Sequence, residues 1–303
     1  MKILEQRVLT SIKRYGLWKP KDVVTLAISG GVDSMVMLEI LLSTQRSHKA
    51  ELRVVTFDHG LRTESEQEVE MVKETCVHRN ISCTVERLHI QKGPRLQERA
   101  RMARRTFLEQ CDGYIATAHH ASDQAETVLF RLLRGSGLDG LQGMQRQHGR
   151  WVKPLLDIFK PEIYTYADKK NLNWCEDPSN DTTTRGEIRR VWEYLTPIRS
   201  NPEKSMSAVA NLLSRDADFI QTQVSLYYKE VVVEDRMNVS ALRKHHIALQ
   251  TRLIREWLWS SGVNVGRQHV EQLLYWNPSE NGQSIQLSSE KRIRQHNGLW
   301  QLC

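Results

Sequence analysis

Cysteine is scarce in this chain of 303 residues, and the five present (Cys76, Cys83, Cys111, Cys175 and Cys303) form an odd set without a C-x-x-C pair. That excludes a disulfide framework and leaves no zinc or iron–sulfur ligand set in view. No apolar run approaches the ~18 residues that a membrane span needs, and the opening Met1-Lys2-Ile3-Leu4-Glu5-Gln6-Arg7 has no secretory-type apolar stretch. A cytoplasmic protein without membrane association is therefore expected. Glycine (16) and proline (8) are too few for a collagenous or low-complexity chain, and 40% hydrophobic with 26% charged residues is an ordinary globular balance. At about 150 residues per domain, the length allows one large domain or two ordinary ones.

The formal charge of +7 is unevenly placed. The stretch 92–153 holds eleven basic and six acidic residues, while the remainder is near neutral. Solvated helix faces and a nucleic-acid surface account for such an excess equally well.

Over the first 135 residues, apolar β-branched runs alternate with amphipathic patterns, which predicts a parallel sheet covered by helices on both faces. An opening helix is expected over 3–15, strands near 23–28, 52–57, 83–88 and 113–118, and helices near 34–43, 64–79, 95–111 and 123–133. Runs such as Val23-Val24-Thr25-Leu26-Ala27-Ile28 suit a sheet buried on both faces. The glycine-rich stretch 135–143 reads as a mobile loop. Beyond Ser200-Asn201-Pro202 the pattern becomes helical (206–228 and 241–261) and ends in period-two segments that predict short antiparallel strands. The expected domains are 1–200, an α/β unit, and 201–303, a small, mostly helical one.

The strongest local signal is Ser29-Gly30-Gly31-Val32-Asp33-Ser34, between an expected strand and an expected helix. Two glycines permit a tight turn, and the free N–H groups at the helix start form an anion cradle to which hydroxyls add donors. This is a phosphate site, but no Lys follows the second glycine, so it is not the usual ATPase or GTPase loop. An ordinary serine-capped strand-to-helix turn is the alternative, which this context outweighs.

This segment resembles the pyrophosphate-loop signature of N-type ATP pyrophosphatases, the PP-loop superfamily. Further segments stand in the order of the successive motifs of the tRNA(Ile)-lysidine synthetase family: Phe57-Asp58-His59-Gly60-Leu61-Arg62, Ala100-Arg101-Met102-Ala103-Arg104, Thr117-Ala118-His119-His120, Asp123-Gln124-Ala125-Glu126-Thr127, Leu133-Arg134-Gly135-Ser136-Gly137 and Glu176-Asp177-Pro178-Ser179-Asn180. The resemblance covers about 23–190. It implies ATP-dependent ligation of L-lysine to the wobble cytidine of tRNA(Ile) with a CAU anticodon, with Mg²⁺ and an adenylated tRNA intermediate. The chain departs from the family pattern at Ser122, where an aspartate is usual, at Arg105, and at Arg185-Gly186-Glu187-Ile188-Arg189, where the second position is usually Asn. Many members carry a further C-terminal domain, and the chain resembles the shorter form. A homodimer is left open.

On that resemblance, Ser29, Gly30, Gly31, Val32, Asp33 and Ser34 bind the ATP phosphates, with Asp33 holding Mg²⁺ rather than serving only as a helix-end charge. Asp58 meets adenosine or forms a turn. Arg104 is placed at the ATP site, and with Arg101 and Arg105 forms one basic helix face. His119 is expected to contact nucleotide and His120 to be structural. Asp123 and Glu126 either open a helix as a capping box or bind the ammonium of lysine and accept its proton, since an amine of pKa about 10.4 must be deprotonated to attack. Arg185, Arg189 and Arg190 are expected to contact tRNA phosphates. Trp257, Trp259, Trp276 and Trp300 are expected in the core. The rivals are a tRNA base thiolase, which the missing cysteine pairs count against, and a catalytically silent tRNA-binding protein, which the intact loop and carboxylates count against.

Overall fold

The structure is a computed structural model that describes residues 2–58, 63–88, 93, 95–175, 184–263, 266–276, 283–288 and 291–303. The motif segments 59–62 and 176–180 lie outside the described residues, as do the side chains of Arg185 and Arg189. The chain divides into two compact units, 1–214 and 215–303.

The first unit opens with α1 (Lys2–Tyr15), β1 (Val23–Ala27), α2 (Val32–Ser43), α3 (Gln45–His48), β2 (Glu51–Asp58), α4 (Thr63–His78), β3 (Cys83–Arg87), α5 (Leu96–Gln110), β4 (Tyr114–Ala116) and α6 (Ala121–Leu133). It continues through α7 (Leu138–Leu141), β5 (Gln147–His148), β6 (Trp151–Val152), α8 (Lys160–Lys170), α9 (Thr184–Leu195) and the start of α10 (Pro202–Val231). Among the described residues the sheet order is β3-β2-β1-β4-β6-β5, parallel except for the β5–β6 hairpin. The expected strands and helices of the first 133 residues are all present within a few positions.

β1 is buried along its centre, as its nearly continuous apolar run requires. α2 is apolar nearly all round because it is buried over most of its length, with Val36, Met37, Ile40 and Leu41 at 0% exposure. Ile163, Tyr166 and Ala167 of α8 join the same core as α2 and β1. Truncating a residue such as Leu41 to Ala would cost roughly 2–5 kcal/mol. α9 buries Ile188 and Trp192 in a cluster with Ala125 and Leu129 of α6.

The stretch 135–143 departs from the mobile loop expected there. It holds the short helix α7, and α6 pins its backbone: Arg131 donates to the carbonyls of Gly140 and Gly143 at 2.8 Å each. The Gln124 amide donates to Met144 O at 3.0 Å and its oxygen accepts from Met144 N at 2.6 Å. Gly143 is required at this approach, because its φ is +71° and a Cβ would come within 2.6 Å of the Gln124 side chain. Glycine content signals backbone permissiveness, and here that permits close packing against α6.

The second unit contains the rest of α10, then β7 (Val232–Val233), β8 (Arg236–Asn238), α11 (Val239–Leu242), α12 (Ile247–Ser260), α13 (Arg267–Tyr275), β9 (Ser284–Gln286), β10 (Arg292–His296) and β11 (Leu299–Leu302). Its described strands form one antiparallel sheet, β7-β8-β11-β10-β9. Trp257 and Trp300 are fully buried in its core, whereas Trp259 is 71% exposed, contrary to the expectation that all four tryptophans pack inside. No helix of the described residues is long and apolar enough to cross a membrane.

Candidate nucleotide and carboxylate site

The strand order reverses beside β1: β2 and β3 lie on one side, β4 and β6 on the other. Parallel sheets bind ligands at the carboxyl ends of the strands flanking such a reversal, because the connections leave toward opposite faces and open a crevice. The register pairs Leu26 with Ala116, so the chain leaves β1 and β4 side by side. The segments that emerge are 28–34 and 117–126, which carry the expected phosphate loop and the expected carboxylates.

The loop is shaped from within. Gly30 takes φ +84°, which favours glycine, and its carbonyl accepts from Cys175 N at 3.0 Å. The Ser34 hydroxyl donates to Gly31 O at 2.8 Å and accepts from Ser29 N at 3.2 Å. Gly31 is the N-cap of α2 and provides no side-chain cap. The first turn of a 12-residue helix therefore offers N–H groups and the positive end of its dipole at the crevice.

Asp33, in that first turn, meets two residues from other elements. Lys160 Nζ lies 2.7 Å from both carboxylate oxygens. His120 Nε2 stands 3.5 Å from Asp33 Oδ1 and 3.5 Å from Asp123 Oδ2. The chain Lys160–Asp33–His120–Asp123 thus joins α8, α2 and α6. Ser122, where the family usually has aspartate, is buried and accepts a 3.3 Å bond from the Lys160 backbone N–H through its hydroxyl.

Helix α6 starts earlier than expected, and this changes its cap. His120 is the N-cap: its Nδ1 accepts from Asp123 N, and Asp123 Oδ2 accepts from His120 N. The capping box is formed by His120 and Asp123, one frame before the Asp123–Glu126 pair considered from sequence. Glu126 lies in the next turn, 4% exposed.

The other expected residues are distributed around this centre. Asp58, at the end of β2, is buried with Arg87 Nε 3.3 Å from its carboxylate. His119 Nδ1 lies 2.9 Å from the Thr117 hydroxyl. On α5, Arg105 pairs with Glu109 at 2.8 Å and lies over the Trp151 ring. Burial, with Arg101 adding like charge, pushes the Arg104 guanidinium pKa down. Arg190 on α9 is exposed. His120 is structural, as expected, being the buried N-cap of α6, and it also stands beside Asp33. The residue that escapes local sequence reasoning is Lys160, which carries no motif. Only the sheet order could have drawn attention to the start of α8.

Residues 2–193 match the PP-loop domain family. The chain is 33% identical over 268 residues to the tRNA(Ile)-lysidine synthase of Gloeobacter violaceus, covering 84% of this chain and 81% of that one. The chain belongs to the tRNA(Ile)-lysidine synthase family. It is also 28% identical to the synthase of Caldanaerobacter subterraneus subsp. tengcongensis over 97% of this chain and 68% of that one. With the synthase of Clostridium perfringens it shares 30% identity over 94% of its own length. It spans 66% of that relative and 50% of the one from Thermosipho africanus. Among solved structures, the U34-tRNA thiolase NcsA from Methanococcus maripaludis, with its 4Fe-4S cluster, superposes with a TM-score of 0.58 at 19% identity. That match covers 70% of this chain and 79% of the thiolase, a likeness of fold.

Proposed function

We propose that the chain uses ATP to join L-lysine to the wobble cytidine of tRNA(Ile) with a CAU anticodon, forming lysidine and releasing pyrophosphate and AMP. The observation that carries this reading is the convergence, at the sheet reversal, of an uncapped phosphate loop with the Asp33–His120–Asp123 chain and buried Glu126.

Cytosine O2 attacks the α-phosphorus of ATP, the new P–O bond replaces the bond to the β-phosphate bridge, and pyrophosphate leaves. The loop Ser29–Ser34 holds the β and γ phosphates, while Arg104, His119 and Asp58 contact the rest of the nucleotide. The side-chain amine of lysine then attacks C2, the C–N bond replaces C2–O, and AMP leaves. Asp123 and Glu126 bind the ammonium and accept the proton that it must lose before it can attack. Arg185, Arg189 and Arg190 hold tRNA phosphates, and 201–303 contributes to recognising the tRNA.

Mg²⁺ fits this site through Asp33. The ion takes oxygen ligands, typically one or two carboxylates with substrate phosphates completing the shell. No group of three or more His, Cys, Asp or Glu among the described residues is arranged to hold a metal by itself. A phosphate-borne ion with Asp33 as its carboxylate suits that donor set. When bound, it would offset the charge that develops on the departing pyrophosphate.

The deciding experiment is mass spectrometry of nucleosides from CAU-anticodon tRNA(Ile) incubated with the protein, ATP, Mg²⁺ and lysine. Lysidine is expected. Thiocytidine in the presence of a sulfur donor would move the chain to the thiolases, and unmodified cytidine in every condition would make it a silent tRNA-binding protein.

A further inference from the structure

The loop Ser29–Ser34 has N–H groups, hydroxyls and a helix dipole to offer a polyphosphate, but no cation of its own: the residue after Gly31 is Val32 and the only charge in the segment is Asp33. A carboxylate beside a phosphate cradle repels the ligand unless something neutralises it. In the structure that neutralising group is Lys160, 127 positions away, with Nζ 2.7 Å from each oxygen of Asp33.

We propose that Lys160 is the phosphate-binding cation of this site, stored on Asp33 and transferred to the β and γ phosphates when the nucleotide and its Mg²⁺ arrive. This deepens the ATP-dependent reading above and rests on it. Three observations support it. Lys160 is anchored at its base and adjustable at its tip: its backbone N–H is bonded to the Ser122 hydroxyl, while the ammonium ends a flexible stem and its side chain is 31% exposed. The ammonium also lies 5.0 Å from the centre of the Tyr164 ring, one turn along α8, so it keeps a favourable neighbour when its hold on Asp33 loosens. Finally, Lys160 Nζ contacts both oxygens of Asp33, with His120 Nε2 a more distant neighbour of Oδ1 at 3.5 Å, so a divalent ion that takes either oxygen displaces part of the Lys160 interaction. That leaves a positive charge beside the incoming phosphates.

The competing role is structural, an ion pair that ties α8 to α2. The two are separated by calorimetric titration of the full-length chain with inorganic pyrophosphate in the presence of Mg²⁺, using wild type, Lys160→Met and Lys160→Arg, with the melting temperature of each recorded. Loss of one charge-assisted contact should weaken pyrophosphate binding about ten- to a hundred-fold in Lys160→Met, and Lys160→Arg should recover most of it. Wild-type affinity in Lys160→Met, with a lowered melting temperature, would make the pair a structural tie and overturn the proposal. A second measurement needs no variant: acetylation of Lys160 by an amine-reactive ester, followed by peptide mass spectrometry, should slow when Mg²⁺ and pyrophosphate are added and not when sodium chloride of equal ionic strength is added. Equal rates in all conditions would also overturn it. If the wild-type chain binds neither pyrophosphate nor ATP, the ATP-dependent reading itself fails. Wild-type affinity in Lys160→Met, in a chain that still binds pyrophosphate or ATP, would overturn the role of Lys160 alone and leave that reading standing.

Discussion

His120 and Asp123 bond each other twice: the His120 N–H donates to Asp123 Oδ2 at 3.0 Å, and the Asp123 N–H donates to His120 Nδ1 at 3.3 Å. The same His120 ring reaches Asp33 with its other nitrogen. A helix cap and a connection between two proposed functional carboxylates are therefore made by one side chain, and the two duties can be separated by choice of substitution.

Asp123→Asn keeps an oxygen for the His120 N–H and should keep most of the cap. Asp123→Ala should lose about 1 kcal/mol of stability. Both should raise the Michaelis constant for lysine. Thermal unfolding together with lysine-dependent kinetics checks this. Normal lysine kinetics in Asp123→Asn would reduce Asp123 to a capping residue.

Glu126→Gln preserves shape at a buried position while removing the charge. The variant should still release pyrophosphate and accumulate adenylated tRNA, but use lysine poorly. Trapping the intermediate with radiolabelled ATP, with and without lysine, distinguishes the two steps. Failure to form the intermediate would place Glu126 in activation.

Asp33→Asn should abolish tRNA-dependent pyrophosphate release and leave tRNA affinity close to wild type, since the change lies in the phosphate loop. Release at the wild-type rate would show that Asp33 serves only as a charge at the start of α2.

Arg190→Ala should weaken all tRNAs about equally, because phosphate contacts carry no sequence information. It should also lower the slope of log affinity against log salt by roughly 0.7–0.9. Filter binding of isoleucine and methionine tRNAs over a salt series measures both. A selective loss of one tRNA would mean that Arg190 reads a base or a shape.

Glu5 supplies a pH-dependent stability prediction. Burial alone would raise its carboxyl pKa, but the Tyr166 hydroxyl at 2.7 Å and Lys170 at 3.2 Å outweigh that and hold it below the ordinary carboxylate value. A depressed folded-state pKa gives stability that is present above the unfolded pKa and is lost as pH falls through the folded one. Glu5→Gln should therefore be less stable than wild type near neutrality, with the difference closing in the acid range. Urea unfolding at pH 7 and at successively lower pH tests it, and a constant gap would contradict it.

The parallel sheet, its covering helices and the phosphate loop are legible in the sequence because each rests on local rules: largely apolar β-branched runs for the central strands, helical period, and glycines before a helix start. The two-residue strands β5 and β6 are too short to show a period. In α8, buried Ile163, Tyr166 and Ala167 are set among charged residues, which leaves a weak apolar signal.

The loop Ser29–Ser34, the motif order that marks the family, and the placing of Asp123 and Glu126 on one helix are already written in the order of the residues. That Lys160 meets Asp33, that His120 stands between Asp33 and Asp123, and that Gln124 and Arg131 bond the glycine-rich stretch emerges from the folded sheet. The difference is one of range. Turns, caps and periodicity are set within a few residues by dihedral preferences and side-chain spacing. A contact across 127 positions exists only after the order β3-β2-β1-β4-β6 has brought the start of α8 beside the end of β1.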